Sequence, residues 1–308
     1  MNLIQSKKNL LDKADFQIMI KTPAYIHFHQ SGMMTSVQDW ARYDMVQYGV
    51  PYSGVMDRIS MTLVNHLLHN PENAAVLEMA HVGPKMVFEM PTRIAFAGAE
   101  ADIYLNEKPV KLGKVYEVGE DDVVEVKKFR RRQWLYMGIQ GGLESEMVGN
   151  SRSWYRGVTP RDKVVKGDSL TYMYEDRYFP PENSYSKIKA NWYKESAIKV
   201  FPGPEWEQLP NLLHNRILSK TFTISELINR MAYQLEESIE NNTEPILTAP
   251  VYPGTVQLTP GGKLIILMRD AQVTGGYPRI LQVDIHSLNI LAQKRSGEKI
   301  KFSIIGDE

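Results

Sequence analysis

The chain has 308 residues, 36 Lys and Arg against 36 Asp and Glu, 43% hydrophobic residues and no cysteine. At roughly 100 to 200 residues per domain, this length implies one large or two ordinary domains. Balanced charge excludes the cationic excess behind nonspecific nucleic-acid binding, and the missing thiols exclude a disulfide framework, a thiol nucleophile and a Cys-ligated zinc. A cysteine-free chain fits a reducing compartment, so the expected location is cytoplasmic.

Residues 1–22 are polar and helix-permissive, and Lys, Asp and Gln interrupt each apolar stretch, so no signal-peptide core is expected there. We read 1–24 as an N-terminal extension, with a short docking helix as one form it could take. From Tyr25 onward, short runs of β-branched and aromatic residues alternate with Gly, Pro, Asn and Asp, the pattern of many short strands. The runs are MVFEM (86–90), RIAFAG (93–98), ADIYLN (101–106), VVEVKKF (123–129), QWLYMGI (133–139), SLTYMY (169–174), KVFPG (199–203), TFTIS (221–225), TVQLT (255–259) and KLIILM (263–268). Strands at this spacing predict a barrel or sandwich. The longest apolar run, LIILM at 264–268, is far short of the roughly 20 residues that cross a bilayer, so no membrane is expected.

Between Asp57 and Asn70 the pattern predicts a helix. Asp57 can cap its start, Ile59, Leu63, Val64, Leu67 and Leu68 share a face, and Asn70-Pro71 stops it. A second short helix is expected over Leu288–Lys294. The stretch 176–198 mixes Pro-Pro, Ser, Lys and Asn without periodicity and reads as a connection, giving a first part over 25–190 and a second over 191–308.

No phosphate-binding glycine loop or dinucleotide fingerprint is present, and Gly261-Gly262-Lys263 reads as a hairpin turn. His27/His29 and His66/His69 have spacings that could pair two imidazoles, but neither pair has a third ligand in view, so no metal is expected. The basic run KKFRRR (127–132) could hold phosphate or an acidic partner; the plainer reading is a solvated strand and turn beside Glu120, Asp121 and Asp122.

Four stretches place Gly, Arg, Asp, Gln and Tyr where a barrel strand would alternate apolar residues: 35–58, 140–157, 229–237 and 270–280. Each alone could be a tight turn with a satisfied Arg–Asp pair; together they suggest a cradle for a small carboxylate or amide, or for phosphate. The blocks TSVQDWAR (35–42), GVPYSGVMD (49–57), NPENAAVLE (70–78), HVGPKMVF (81–88), GGL (141–143), SRS (151–153), PGP (202–204), INRMAYQL (228–235) and DAQVTGGYPRI (270–280) resemble, in order and spacing, the family called allophanate hydrolase subunit 2 or the carboxyltransferase, urea-amidolyase-related family. Against its usual pattern, Ala41, His81 and Ala232 stand for Gly, Asn229 for Asp and Val273 for Thr. The Asn229 change matters most, because an amide does not titrate.

The resemblance implies a mainly β, cyclophilin-like barrel architecture in two parts with a few short helices. It implies a subunit that works with a homologous B-type (KipI-like) subunit and an A-type (LamB/YcsF-like) subunit in ATP-dependent opening of 5-oxoproline to glutamate, with ATP, and Mg with it, as the cofactor of the complex. A urea-derived carboxyltransferase substrate, or a KipA-like protein that only sequesters a KipI-like kinase inhibitor, stays open beside it. In the motif match, Asp57, Glu78, Arg230 and Arg279 are the candidate catalytic residues. Gln38, Arg42, Arg152, Tyr233, Gln272, Thr274, Gly275, Gly276 and Tyr277 are the candidate substrate- or nucleotide-binding residues. Phosphoryl transfer to an amide oxygen needs positive charge around it, which gives the motif arginines their weight.

Overall fold

The computed structural model describes residues 21–175 and 192–306. Residues 1–20 of the expected extension and 176–191 of the expected connection lie outside them. The first part is a ten-stranded sheet of β1 (Lys21–Gln30), β2 (Met34–Gln38), β3 (Val76–Ala80), β4 (Lys85–Phe88), β5 (Thr92–Leu105), β6 (Lys108–Pro109), β7 (Val115–Val118), β8 (Val123–Ile139), β9 (Leu143–Glu144) and β10 (Ser169–Glu175). Its order is β2-β3-β8-β4-β1-β10-β9, and β5 pairs with β6, β7 and β8.

The strand pattern therefore starts four residues before Tyr25, inside the expected extension. Pro23, which has no N–H to give, is accommodated because only β10 flanks that end of β1; β4 joins the ladder from Ile26 onward. Four of the expected short strands are two long ones. RIAFAG and ADIYLN form the single β5, and VVEVKKF and QWLYMGI the single β8, with register shifts around Gly98–Ile103 absorbing the polar residues that read as turns.

The second part is a closed barrel, β11-β18-β15-β16-β13-β12-β19, built from β11 (Ala197–Pro202), β12 (Phe222–Ile228), β13 (Ala232–Ser238), β15 (Thr255–Leu258), β16 (Lys263–Leu267), β18 (Arg279–Val283) and β19 (Lys299–Ile304). A two-stranded ladder of β14 (Ala249–Pro250) and β17 (Thr274–Gly275) lies outside that circuit. Three α-helices, α1 (Arg58–Leu67), α2 (Asn211–Ser219) and α3 (Ile285–Ala292), and three single 3-10 turns complete the described residues. The architecture is mainly β in two barrel-like parts with a few short helices. Helix α3 starts three residues before the expected Leu288, because Asp284 caps it by accepting from His286 N and Ser287 N. Helix α2 is absent from the expected elements; Pro210 at its N-cap gives no side-chain cap, and only Leu213 and Ile217 are buried, so its sequence signal is weak.

What joins the two parts is a shared core. Met61, Val64 and Leu67 of α1, with Ala95, Ala97, Trp134 and Tyr136 from β5 and β8, belong to the same buried cluster as the interior of the second barrel. At roughly 1.5–3 kcal/mol for each fully buried large aliphatic side chain, that seam is a strong fastening. A separate cluster, with Ile26, Phe28, Phe88, Phe96 and Leu135, fills the first sheet. The seam carries the polar residues that form the candidate site.

Candidate functional site

The turn between β12 and β13 carries Asn229 and Arg230 to the seam. Asn229 Oδ1 accepts the amide hydrogens of Met231 (2.7 Å) and Ala232 (3.0 Å), which fixes the turn. Arg230, only 6% exposed, becomes the centre of a cluster with four partners. Its Nε and Nη2 donate to the two oxygens of Asp270 at 2.7 and 2.9 Å, Nη1 donates to Glu78 Oε1, and Nη2 also reaches Gly54 O (2.8 Å) and Gln38 Oε1 (3.2 Å). Burial works against this cation, yet Asp270 and Glu78 together raise its pKa above the ordinary guanidinium value.

The partners are fixed in turn. Glu78 Oε2 accepts from Met56 N (2.7 Å) and Tyr136 Oη (2.8 Å), and Gln38 Nε2 donates to Ser36 Oγ (3.0 Å) and Trp154 O (3.2 Å). Gly54 must be glycine: its φ is +90°, and a Cβ there would lie 2.3 Å from Trp40 O. One guanidinium thus ties β2, β3 and the loop before α1 to the second barrel.

A cleft of about 660 Å³ opens over this cluster, lined by Trp134, Trp154, Tyr155, Arg156, Asp162, Lys163, His81, Gln133, Asn229, Arg230 and Asp270 among others. Aromatic walls and two exposed cations give it the make-up of a site for a small anionic, partly apolar molecule. Two carboxylates line it. Asp162 is exposed, whereas Asp270 is half-buried with both oxygens held by Arg230, and so it is aimed.

Two candidate bases have other work. Asp57 is fully buried and caps α1, accepting from Ile59 N (2.9 Å), Ser60 N (3.2 Å), Ser60 Oγ (2.6 Å) and Gln293 Nε2 (2.9 Å). Burial pushes its pKa up against those bonds. Glu78, also fully buried, is the clamp between Arg230 and Tyr136, and burial likewise pushes it up against the pull of Arg230. Neither lines the cleft; the carboxylate that does line it and is fixed there by an ion pair is Asp270.

The other expected residues divide by location. Gln38 joins the Arg230 cluster. Arg42 is buried, donating to Val148 O (2.8 Å), Ser53 Oγ (3.3 Å) and Ser153 O (2.7 Å), and Arg152 pairs with Glu144 and Ser145 O; both hold the Ser151-Arg152-Ser153 loop, which Asp39 also grips through Ser151, Arg152 and Ser153. Tyr233 is buried, linking Trp134 Nε1 (3.2 Å) to Ala292 O (2.9 Å). Arg279 forms a bidentate pair with Glu205 (3.0 and 2.7 Å) and donates to Pro250 O (2.9 Å), away from the Arg230 cluster. Thr274 and Gly275 are drawn into the ladder with Ala249–Pro250, and a Cβ at Gly275 would displace the Gln257 side-chain amide, whose Nε2 would lie 2.5 Å away. Gln272, Gly276 and Tyr277 sit in that same loop and do not line the cleft. The basic run lies within β8: Arg130, Arg131 and Arg132 line a second groove of about 670 Å³ with Lys294 and Arg295, where Arg132 stacks 3.1 Å over Tyr193 and pairs with Glu100.

Trp154, Tyr155, Arg156 and Lys163 are cleft residues that the motif blocks do not single out; the first three adjoin the SRS block, which was the available signal. His81, which stands where Gly is usual, has φ +65°, and this explains the glycine preference. Its Nε2 lies 3.2 Å from Gln133 Nε2, and burial and then the Arg295 charge hold its pKa below the ordinary imidazole value.

Known proteins are similar to this chain in sequence and fold. The carboxyltransferase-domain model, subdomains A and B, matches residues 48–304. The C-type subunit of the 5-oxoprolinase of Haemophilus influenzae is 27% identical over 277 residues, 88% of both chains. The urea amidolyase of Lachancea kluyveri is 32% identical over 213 residues, covering 63% of this chain and 11% of that one. Among solved structures, TTHA0988 superposes with a TM-score of 0.81 at 26% identity, over 91% of this chain; this chain spans about 55% of that one.

Proposed function

This chain belongs to the carboxyltransferase-domain family, and from that premise we propose that it is the C-type subunit of an ATP-dependent 5-oxoprolinase and contributes the lactam-binding cleft. The observation that carries the reading is the junction cleft with Asp270 held by Arg230 at its floor. Trp134, Trp154 and Tyr155 offer apolar faces to a five-membered ring, and Arg156 and Lys163 offer charge to its carboxylate or to a phosphoryl group. Asp270, already bonded to Arg230, is placed to accept the lactam N–H or to orient water. ATP, held in the complex against Arg156 and Lys163, would supply a phosphoryl group for the lactam carbonyl oxygen. With both its oxygens bonded to one guanidinium, Asp270 meets a substrate in a single orientation.

The Haemophilus influenzae relative, a 5-oxoprolinase component matched over 88% of both lengths, supports the assignment. B-type (KipI-like) and A-type (LamB/YcsF-like) subunits are the proposed partners. A urea-derived carboxyltransferase substrate is the second reading, favoured by the identity to a urea amidolyase.

The test is ATP-dependent glutamate release from 5-oxoproline by the chain reconstituted with A- and B-type subunits, each omitted in turn. Turnover should require this chain, and Asp270→Asn should lower it at least a hundredfold in an otherwise intact complex. Turnover unaffected by omitting this chain, or a stable complex inert toward 5-oxoproline, would overturn the proposal.

A further inference from the structure

Next to Asp270 in the chain lies Arg269, which does not line the cleft. It is 3% exposed, and among the described residues its Nε and Nη2 find no hydrogen-bond partner. Two more buried donors share that condition, Arg58 Nε and Trp40 Nε1. The three residues belong to one neighbourhood. Arg58 Nη2 donates to Trp40 O (3.1 Å), and its Cζ stands 5.5 Å from the Trp40 ring. Ser53 N donates to Arg269 O (3.0 Å), and the adjoining Gly54 packs directly on Trp40 O.

The unpartnered atoms are all donors. A buried donor without an acceptor costs about 1–3 kcal/mol, and more when it carries charge, so four in one neighbourhood are a cost that an anion there would relieve. Nε and Nη2 of Arg269 form the side-on fork that binds carboxylate or phosphate through two parallel N–H···O bonds. Asp57 and Asp270, the carboxylates that act on it by charge or adjoin it in the chain, are both engaged elsewhere. Asp57, which acts on Arg269 through its charge, already accepts from four donors, and Asp270 is held by Arg230. Burial, and then the Arg58 charge, push the Arg269 pKa down to about 9.

We propose that Arg269, Arg58 and Trp40 form a binding site for one small oxyanion, a carboxylate or an inorganic phosphate, at the seam between the two parts of the fold and separate from the Asp270 cleft. Tyr43 and Tyr252, each about half exposed, mark its outer side. Tyr43 Oη accepts from Arg58 Nη2 (2.6 Å), and the Tyr52 ring packs between the two tyrosines with centroids 5.9 and 6.3 Å away. An anion entering past Tyr43 would offset the charge of the two guanidinium groups and pin the 39–57 loop to the second barrel.

The test is calorimetric titration of the full-length chain with sodium phosphate and, separately, with sodium acetate, at ionic strength held constant with sodium chloride. Saturable binding of one anion, weakened at least tenfold in Arg269→Met, is expected, and the anion that binds identifies phosphate or a carboxylate metabolite as the source. No saturable binding of either would overturn the site and leave the donors to buried water; so would unchanged affinity in Arg269→Met. If Arg269→Met does not fold, Arg58→Gln decides in the same way: a tenfold loss supports the site, unchanged affinity overturns it. The Asp270→Asn chain should bind the anion as the wild type does, which separates failure of this site from failure of the cleft.

Discussion

Two arginine–carboxylate pairs in this chain have similar sequence credentials and different settings. Arg230 lies at the seam, buried, bonded to Glu78 and Asp270 and through them to both parts of the fold. Arg279 lies in the second barrel, 17% exposed, matched to the single carboxylate of Glu205. The first guanidinium faces two acids with one charge, which leaves a carboxylate held but available at a cleft. The second is balanced one to one and leaves nothing over. What separates the two motif arginines is that the fold gives Arg230 a second acid and a cavity.

The largest expected effect tests the seam. Arg230→Met leaves Glu78 and Asp270 unpaired at the junction, and breaking a buried pair from one side costs about 3–5 kcal/mol. Urea unfolding should show that loss, whereas Arg279→Met should cost about 1–2 kcal/mol, the scale of charge-assisted bonds near the surface. Equal losses would remove the distinction between the two pairs.

Next in size is a pH effect confined to the barrel pair. Hydrogen bonds from Arg279 lower the Glu205 pKa below the ordinary carboxylate value. A depressed folded-state pKa contributes stability that is present above the unfolded-state pKa of about 4.3 and is lost as pH falls through the folded value. Glu205→Gln should therefore be less stable than the wild type at pH 7, and the gap should close on acidification below about pH 4. A gap independent of pH would mean that packing, not charge, holds this corner.

How far these settings could be read in advance depends on whether the signal is local. The Asp57 cap is local, and the expected helix starts where the structure starts it, but its buried face is carried by Met61, Val64, Leu67 and Leu68, with Ile59 and Leu63 only partly buried. The sheet-rich class is legible for the same reason. The length of β5 and β8 is not, because bulges at Gly98–Ile103 are a product of pairing, and a polar residue in a bulge looks like a turn in sequence. Arg230 stands out through its motif, but its partners lie 40 to 192 positions away, and no spacing rule reaches across the two parts. Arg269 precedes its motif block and Trp40 sits unremarked inside one, and nothing local distinguishes a buried unpaired donor from a paired one.

The smallest expected effect concerns Asn229, whose amide replaces a usual acid beside the cleft. If that position needed a titrating carboxylate, Asn229→Asp would raise turnover. The structure gives the side chain a different role, since Oδ1 accepts from Met231 N and Ala232 N and so presents Arg230 to the seam. An aspartate oxygen can accept the same two bonds, and the position is exposed, where substitutions usually change stability by no more than about 0.5 kcal/mol. Asn229→Asp should therefore match the wild type in denaturant midpoint within that margin, and its turnover in the reconstituted complex should differ by less than about threefold, which is under about 0.7 kcal/mol. A tenfold gain would move the catalytic carboxylate from Asp270 to this turn, and with it the chemistry from the seam to the exposed lip of the cleft.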